Sequence, residues 1–466
     1  MLIQILLIIA VGGLMHAART FAPGAGAGTS AGTALAIGFF LLTAFFVGKL
    51  FAAIRLPRLT GYIVTGLVVG PSLLGLINEG MIADLNLVNG IAIALIALTA
   101  GGELNFRAIR PLLRSIILIS IIAVVGTMLL LTAVVFAIHP LLGFMDGMTL
   151  AQTTVVALVL GVTISAQSPA VVVALRNELS AEGPVARTVL GVVVLSDMVV
   201  IVFFAAASSV AKALLGGSAE AGETAVKLAW ELFGSLGAGV IVGVLLSLYL
   251  AKVKEGTELF LFIVCIVISE VGTRLQFDIL LVALSAGVFI QNATAGGKRL
   301  IQAIEETSVP VYVLFFAVAG ATIHLKVLLI VGIPAAVLIL SRAAGFLTGT
   351  SIAARLAGAP SAVVRYAGFG LLPQAGLALA LAMLFVRTFP SFGEGASALT
   401  LGIVGMNEII APAFYRWALV RSGEGRPEQT REAAQPAGAC KGPPSGAPPP
   451  GAAMPPSPTP PAARQS

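Results

Sequence analysis

Fourteen largely apolar runs divide most of the chain into segments, and each run is long enough to cross a lipid bilayer. A transmembrane helix needs about 20 consecutive apolar residues, within a range of about 17 to 25. The composition agrees, because 58% of the residues are hydrophobic and only 10% are charged, whereas soluble domains contain roughly a quarter charged residues. The sequence therefore predicts an all-α polytopic membrane protein. The runs begin near residues 1, 33, 60, 86, 115, 150, 185, 226, 258, 278, 308, 328, 361 and 396.

Basic residues in the connecting loops predict the orientation of these segments. When the C-terminus is placed in the cytoplasm, the inner loops contain 14 Lys and Arg residues and the outer loops contain 6. Such residues concentrate on the cytoplasmic side of membrane proteins. We therefore expect an integral, multi-pass protein of the bacterial inner (cytoplasmic) membrane with a cytoplasmic C-terminus. The net charge of +6 then reflects topology, and no nucleic-acid partner is predicted.

Three regions of the chain differ in composition. Residues 1–32 contain a hydrophobic segment, which is either an extra span or a signal peptide, followed by a linker rich in Gly and Ala. Residues 33–420 contain the other 13 segments, which we interpret as one membrane domain. Residues 421–466 are rich in Pro, Gly and Ala. Such a segment cannot bury enough apolar surface to fold, so a disordered cytoplasmic tail is predicted.

Asp197 lies at the middle of the apolar run from Val185 to Val210. A charged side chain at the bilayer centre costs about 2.5–3.5 kcal/mol even on insertion scales. A valine would insert better, so we interpret the acid as functional. A carboxylate that exchanges a proton for a metal ion explains its presence, and Asp197 is predicted to hold a monovalent cation transiently.

Two segments contain a proline beside polar residues, namely Pro169 in TISAQSPAVVVAL (163–175) and Pro373 in GFGLLPQAGLALALA (368–382). Proline removes a backbone donor and interrupts a helix. An ordinary kink explains either one alone. However, both are fourth in a repeat of five if segments 3–7 and 10–14 form the inverted repeats typical of secondary transporters. Hard cations prefer oxygen ligands. The candidate ligands beside Asp197 are Ser196, Thr163, Gln167 and Ser168.

Arg342 lies near the centre of the twelfth segment, where a guanidinium needs a partner. Two interpretations stay open. Arg342 either pairs with Asp197 or another site carboxylate, or it binds backbone carbonyls at a helix break near Pro169 or Pro373. Two acids are further candidates for charge partners or structural groups: Glu408, which is also a candidate for gating, and Glu270.

Other kinds of site have little support in the sequence. The three histidines, His16, His139 and His324, are scattered among segments and do not form a metal cluster. Neither a nucleophile–base pair nor a phosphate-binding loop is visible. We therefore predict no cofactor and no enzymatic activity.

Seven stretches in a fixed order support a resemblance to a known family. They are LPRLTGYIVTGLVVGPSLLG (56–75), ALTAGGELNFRAIRP (97–111), TISAQSPAVVVALRNE (163–178), ARTVLGVVVLSDMVVIV (186–202), FFAVAGATIHL (315–325), GFGLLPQAGLALALA (368–382) and NEIIAPAF (407–414). In these stretches the chain resembles the monovalent cation:proton antiporter superfamily, most closely its second family of Kef-type and Nap-type exchangers.

The resemblance implies a 13-span, inverted-repeat sodium/proton antiporter-like fold with two discontinuous crossing helices, and a homodimer in the lipid bilayer. It implies that Asp197 is the ion-binding aspartate and that Arg342 is the basic residue of the tenth core span. The chain departs from the superfamily at Ser196, where Asp, Asn or Gln usually precedes the aspartate. With one buried carboxylate at this place instead of two, we expect electroneutral exchange.

The resulting hypothesis is secondary active exchange of Na⁺ or K⁺ for H⁺ by alternating access. Two alternatives stay open at this point. One is a cation channel or leak of the Kef type for K⁺ efflux, which needs a gated pore and no moving site. The other is a membrane sensor that does not transport, although the short tail contains no signalling module.

Overall fold

A computed structural model describes residues 7, 8, 10, 12–14, 30–214, 230–253, 257–294, 296–323, 325–374, 378, 381–382 and 393–425. Within these ranges all regular secondary structure is helical, which confirms the predicted class. Most of the predicted N-terminal segment (1–32) lies outside the described residues, and so does the predicted tail from residue 426 onward.

The main helices are numbered here in chain order. They are α1 (Ser30–Ala53), α2 (Arg58–Val69), α3 (Asn86–Glu103), α4 (Leu113–Ile119, continued by a π-helical stretch at Ser120–Val125 and by Gly126–Ile138), α5 (Leu150–Ser165), α6 (Pro169–Leu179), α7 (Pro184–Leu214), α8 (Ser235–Lys252), α9 (Thr257–Leu275), α10 (Ile279–Ala293), α11 (Gly297–Ala321), α12 (Leu325–Leu356), α13 (Ser361–Tyr366) and α14 (Gly393–Arg421).

Six stretches of the described residues are long and apolar enough to cross a membrane. Shorter apolar helices, of 10–17 residues, accompany them. The chain is therefore an integral, multi-pass membrane protein, as predicted, while the count of 13 spans stays a prediction. The six long stretches are Phe106–Leu141, Leu150–Leu179, Pro184–Ser208, Ser235–Lys252, Gly332–Leu356 and Gly393–Arg421.

The helices pack in two groups. In the first group, α3 lies against α9, α10 and α11, α2 contacts α1 and α11, and α8 packs on α10. In the second group, α5 lies against α4 and α7, α6 packs on α7 and α14, and α12 packs on α4 and α14. The two groups meet where α6 contacts α3 and where α14 contacts α2. The candidate site lies between these two groups.

Capping side chains fix the beginnings of two helices that contribute to the site. The N–H of Val171 donates to Ser168 Oγ at 3.3 Å, and Pro169 is the first residue of α6, where its missing N–H has no consequence. The N–H of Leu281 donates to Asp278 Oδ1 at 3.0 Å at the start of α10. Local sequence therefore determines where both helices begin.

Helices α3 and α10 approach each other at two glycines, Gly101 and Gly287. A Cβ atom at Gly287 would overlap the carbonyl oxygen of Leu98, and one at Gly101 would overlap the carbonyl oxygen of Leu284. Backbone atoms on both sides leave no flexible group to move aside, so a side chain here would force the two helices apart.

Gly287→Ala is therefore expected to lower the melting temperature, Tm, of the detergent-solubilised protein. Alanine favours a helix by about 1 kcal/mol over glycine, but overpacking costs about 1–3 kcal/mol. The control is Gly237→Ala in α8, where an added Cβ meets nothing within 4 Å. That variant should keep or raise the Tm. Equal Tm values for the two variants would contradict the close contact.

Candidate functional site

Asp197 lies in the middle of α7 and is buried, with 3% of its surface exposed. Its Oδ1 atom has no hydrogen-bond partner within the described part of the chain. Most buried polar atoms are paired, and an unpaired one calls for an explanation such as an unseen ion or water. The position and burial predicted from the sequence agree with this placement.

A cavity of about 230 Å³ lies beside Asp197, between the two groups of helices. One water occupies roughly 30 Å³ in the liquid, so the cavity can hold a small cation with part of its hydration shell. Its wall is mostly apolar. The polar side chains that line it are those of Gln167, Ser168, Asp197 and Asp278.

The interruption between α5 and α6 lies next to this cavity. Helix α5 ends at Ser165, the backbone of Ala166 and Ser168 is extended, and α6 begins at Pro169. The N–H of Ser168 donates to the carbonyl of Pro373 at 3.0 Å, so the two predicted break regions contact each other. The second region is described only as far as Gln374, after which residues 375–377 lie outside the described ranges.

Arg342 connects these two regions. The Nε atom donates to Ile164 O at 2.9 Å, and Nη2 donates to Ala166 O at 3.0 Å. On the other side, Nη1 donates to Leu372 O at 2.6 Å and Nη2 donates to Leu371 O at 3.3 Å. Within the described residues no ion pair joins Arg342 to Asp197. Of the two interpretations left open by the sequence, these contacts match the binding of freed carbonyls.

A hydrogen bond between two polar side chains occurs beside each of the two helix breaks. Ser196, the residue before Asp197, has its Oγ 2.6 Å from Gln167 Oε1 and 2.7 Å from Val193 O, so its single proton bonds to one of them at a time. Asn407, the residue before Glu408, donates from Nδ2 to Gln374 Oε1 at 2.6 Å. In both places a glutamine at the break is bonded to the neighbour of a buried carboxylate.

Several predicted site residues do not line the cavity, among them Thr163, Glu408 and Glu270. The hydroxyl of Thr163 donates to Val159 O at 2.8 Å within α5. Glu408 is buried in α14. Glu270 has a half-exposed side chain on α9 and lies 3.8 Å from Arg274. The predicted ion-binding role of Thr163 and the predicted structural roles of the two acids stay predictions.

Asp278 is a polar residue of the cavity that the sequence did not indicate. An aspartate directly before an apolar helix is an ordinary N-cap, and that role gives no indication of a site. Its place at the start of the tenth segment was visible in the sequence, but its position opposite Asp197 depends on the packing of α10 against α3. Gln374 and Asn407 were likewise visible as polar neighbours of Pro373 and Glu408, but their contact was not predicted.

Polar contacts join the two groups of helices at the C-terminal end of α3. Glu103, the last residue of α3, contacts Arg176 of α6 in a salt bridge. The N–H of Arg58 donates to Glu178 Oε1 at 3.0 Å. The cavity is lined by Ile93, Ile96 and Ala97 of α3, and Ala97 lies six residues before Glu103, which corresponds to about 9 Å along a helix.

Glu424, which follows α14, holds the start of α7 through its carboxylate. The N–H groups of Val185 and Ala186 donate to the Glu424 carboxylate at 2.7 and 2.9 Å. Burial raises the pKa of Glu424 above its ordinary value, against the lowering effect of these two hydrogen bonds. The helix that carries Asp197 is thereby held at its beginning by the residues that follow α14.

Fold and site together define an integral membrane protein with a buried carboxylate beside an interrupted helix, a combination found in secondary transporters. The family model "Sodium/hydrogen exchanger, transmembrane" matches residues 39–419, and the chain belongs to this family. Membership confirms the predicted antiporter superfamily and places the chain among transporters and not enzymes.

Solved structures of one antiporter share the fold. The sodium/proton antiporter MjNhaP1 from Methanocaldococcus jannaschii at pH 8 superposes with a TM-score of 0.60 at 15% identity, covering 84% of this chain and 98% of that chain. A structure from an electron-microscopy map of the same antiporter gives a TM-score of 0.65 at 16% identity, with 85% and 99% coverage. The predicted antiporter-like fold is thereby confirmed. No curated protein sequence matches the chain significantly.

Proposed function

We propose that this family member exchanges one Na⁺ or K⁺ for one H⁺ at Asp197 by alternating access. The observation that carries the proposal is the unpartnered Asp197 oxygen at a cavity large enough for a partly hydrated cation. A carboxylate without a fixed partner is free to bind a proton or a metal ion in turn.

Oxygen atoms beside Asp197 complete the proposed site. Ser168 and Gln167 line the same cavity, and the Ser196 hydroxyl is bonded to Gln167. Hydroxyl and amide oxygens suit hard cations. Arg342 serves a different purpose in this proposal, because it holds the carbonyls of both break regions in place and leaves the Asp197 charge to the proton and the cation.

The two helix groups support alternating access. The cavity reaches Asp278 at the connection between α9 and α10, while the Glu103–Arg176 contact joins the groups at the C-terminal end of α3. An arrangement open at one end and joined at the other is one of the two states that such a cycle needs. The paired contacts Ser196–Gln167 and Asn407–Gln374 support the predicted inverted repeat and crossing helices.

Several sequence predictions belong to this proposal. They are the 13-span membrane domain at 33–420, the bacterial inner membrane, the cytoplasmic C-terminus and the homodimer in lipid. The homodimer is expected from the family resemblance alone.

Exchange in proteoliposomes is expected to be insensitive to an imposed membrane potential. A proton or a monovalent cation neutralises the same single carboxylate, so the loaded site is neutral in both directions of the cycle. Proton flux is measured with Li⁺, Na⁺, K⁺ or Rb⁺ outside, at zero and at imposed potential. Clear voltage dependence would reject one-for-one exchange.

Counterflow tests alternating access against a channel. Cation inside the liposomes should accelerate the uptake of labelled cation from outside, because a carrier returns faster when it is loaded. With the membrane potential clamped at zero, a channel shows no such acceleration. The presence or absence of acceleration under this condition therefore decides between the two mechanisms.

A further inference from the structure

Asp278 brings a second carboxylate to the cavity that contains Asp197. The N–H of Leu281 donates to its Oδ1 at 3.0 Å, and its own N–H donates to Ser235 Oγ at 2.8 Å. These bonds hold the carboxylate at the start of α10. The residue is only partly buried, unlike Asp197.

Two buried side chains point to a ligand in the same cavity. Asp197 Oδ1 and Gln167 Nε2 both lack a partner among the described residues, and both residues are at least nine-tenths buried. The Asp278 carboxylate also interacts electrostatically with that of Asp197. Two negative groups therefore act on any ion in a mostly apolar cavity, whose walls concentrate their field.

Asp278 and Asp197 belong to different groups of helices. Asp278 is fixed to α10, which packs on α3 and α8, whereas Asp197 lies on α7, which packs on α5. If the second group moves during the cycle, Asp197 moves with it and Asp278 stays at the cavity mouth. A fixed acid at the mouth can attract a cation, and the moving acid can then accept it.

We propose that Asp278 forms an access subsite for a monovalent cation, which binds there before it reaches Asp197. The proposal rests on the exchange function proposed above. In this proposal Asp278 carries no exchanged proton, so the subsite raises cation affinity on one face of the membrane and leaves the one-for-one stoichiometry unchanged.

Asp278→Asn tests this subsite and preserves the helix cap, because Asn caps a helix as well as Asp does. The KM for the cation should rise about three- to ten-fold, the size expected for losing one nearby charge in a partly solvated site. The maximal rate and the number of protons per cation should stay unchanged. The KM of this variant should also depend less on salt concentration than that of the wild type, since screening then acts on one charge fewer.

The effect is also expected on one face only. Under the predicted topology the α9–α10 connection is outside, so the KM should rise in right-side-out vesicles and not in everted ones. The control is Asp146→Asn, which removes an exposed charge from the loop after α4, on the same predicted face. Its KM should equal that of the wild type.

The outcomes separate this proposal from the exchange function. An inactive wild type would reject the exchange function itself. An active wild type with an unchanged KM in Asp278→Asn would reject the subsite and leave exchange standing. A lower maximal rate at unchanged KM, equal effects on both faces, or an altered proton-to-cation ratio would each overturn the subsite as well.

Discussion

Asp197→Asn is expected to abolish cation-driven proton flux in proteoliposomes, while the purified variant stays folded. Asn has nearly the size of Asp but no charge, so it can neither take up the exchanged proton nor neutralise a bound cation. Asp197 Oδ1 has no partner among the described residues, so no hydrogen bond at that atom is lost. The Tm in the absence of cation should therefore stay close to that of the wild type.

A second measurement distinguishes loss of binding from loss of movement. A cation that binds only the folded state raises the Tm, and the stabilisation grows with the logarithm of its concentration once that exceeds the dissociation constant. Wild-type protein should show this rise with its substrate cation, and Asp197→Asn should not. Asp146→Asn, which removes one exposed charge, should keep both the flux and the rise in Tm. Normal exchange in Asp197→Asn would refute the assignment of the site.

The central carboxylate could be predicted from the sequence because its physical signal is local. An acid in a long apolar run is costly wherever the helix packs, so the run around Asp197 alone indicates function. The same holds for the break at Pro169, since proline interrupts a helix through its own geometry. Segment positions followed from hydropathy for similar reasons. Within the described residues, helices begin within a few residues of the predicted starts from residue 33 onward, except that α11 begins at Gly297, 11 residues before the predicted start at 308.

Contacts between residues that are distant in the sequence could not be predicted in this way. Arg342 is separated by 178 residues from Ile164, and the sequence does not state which carbonyls or carboxylates the fold brings to it. Asp278 illustrates the opposite difficulty, because its local role as a helix cap is sufficient to explain it. The contact of Glu103 with Arg176 likewise depends on how α6 packs against α3, which no local pattern indicates.

Arg342→Ala is expected to lower the Tm strongly and to abolish transport. The guanidinium donates to four buried carbonyls, those of Ile164, Ala166, Leu371 and Leu372. Each buried acceptor left without a donor costs about 1–3 kcal/mol, although Gln374 still donates to Ile164 O at 2.7 Å. Arg342→Lys should recover only part of the stability, because an ammonium lacks the planar fork that reaches both breaks. The control is Arg355→Ala at an exposed position of α12, which should leave the Tm unchanged.

The double variant Asp197→Asn with Arg342→Ala decides between the two roles of Arg342 that the sequence left open. Residues that share no contact have additive effects on stability, whereas members of a buried ion pair do not. Since Arg342 donates to carbonyls on both breaks, its loss should lower the free energy of unfolding equally in the wild-type and Asp197→Asn backgrounds. If Arg342 instead served to neutralise Asp197, removing the acid first would relieve most of the loss. A much smaller loss in the Asp197→Asn background would therefore assign Arg342 to the ion cycle and not to the helix breaks.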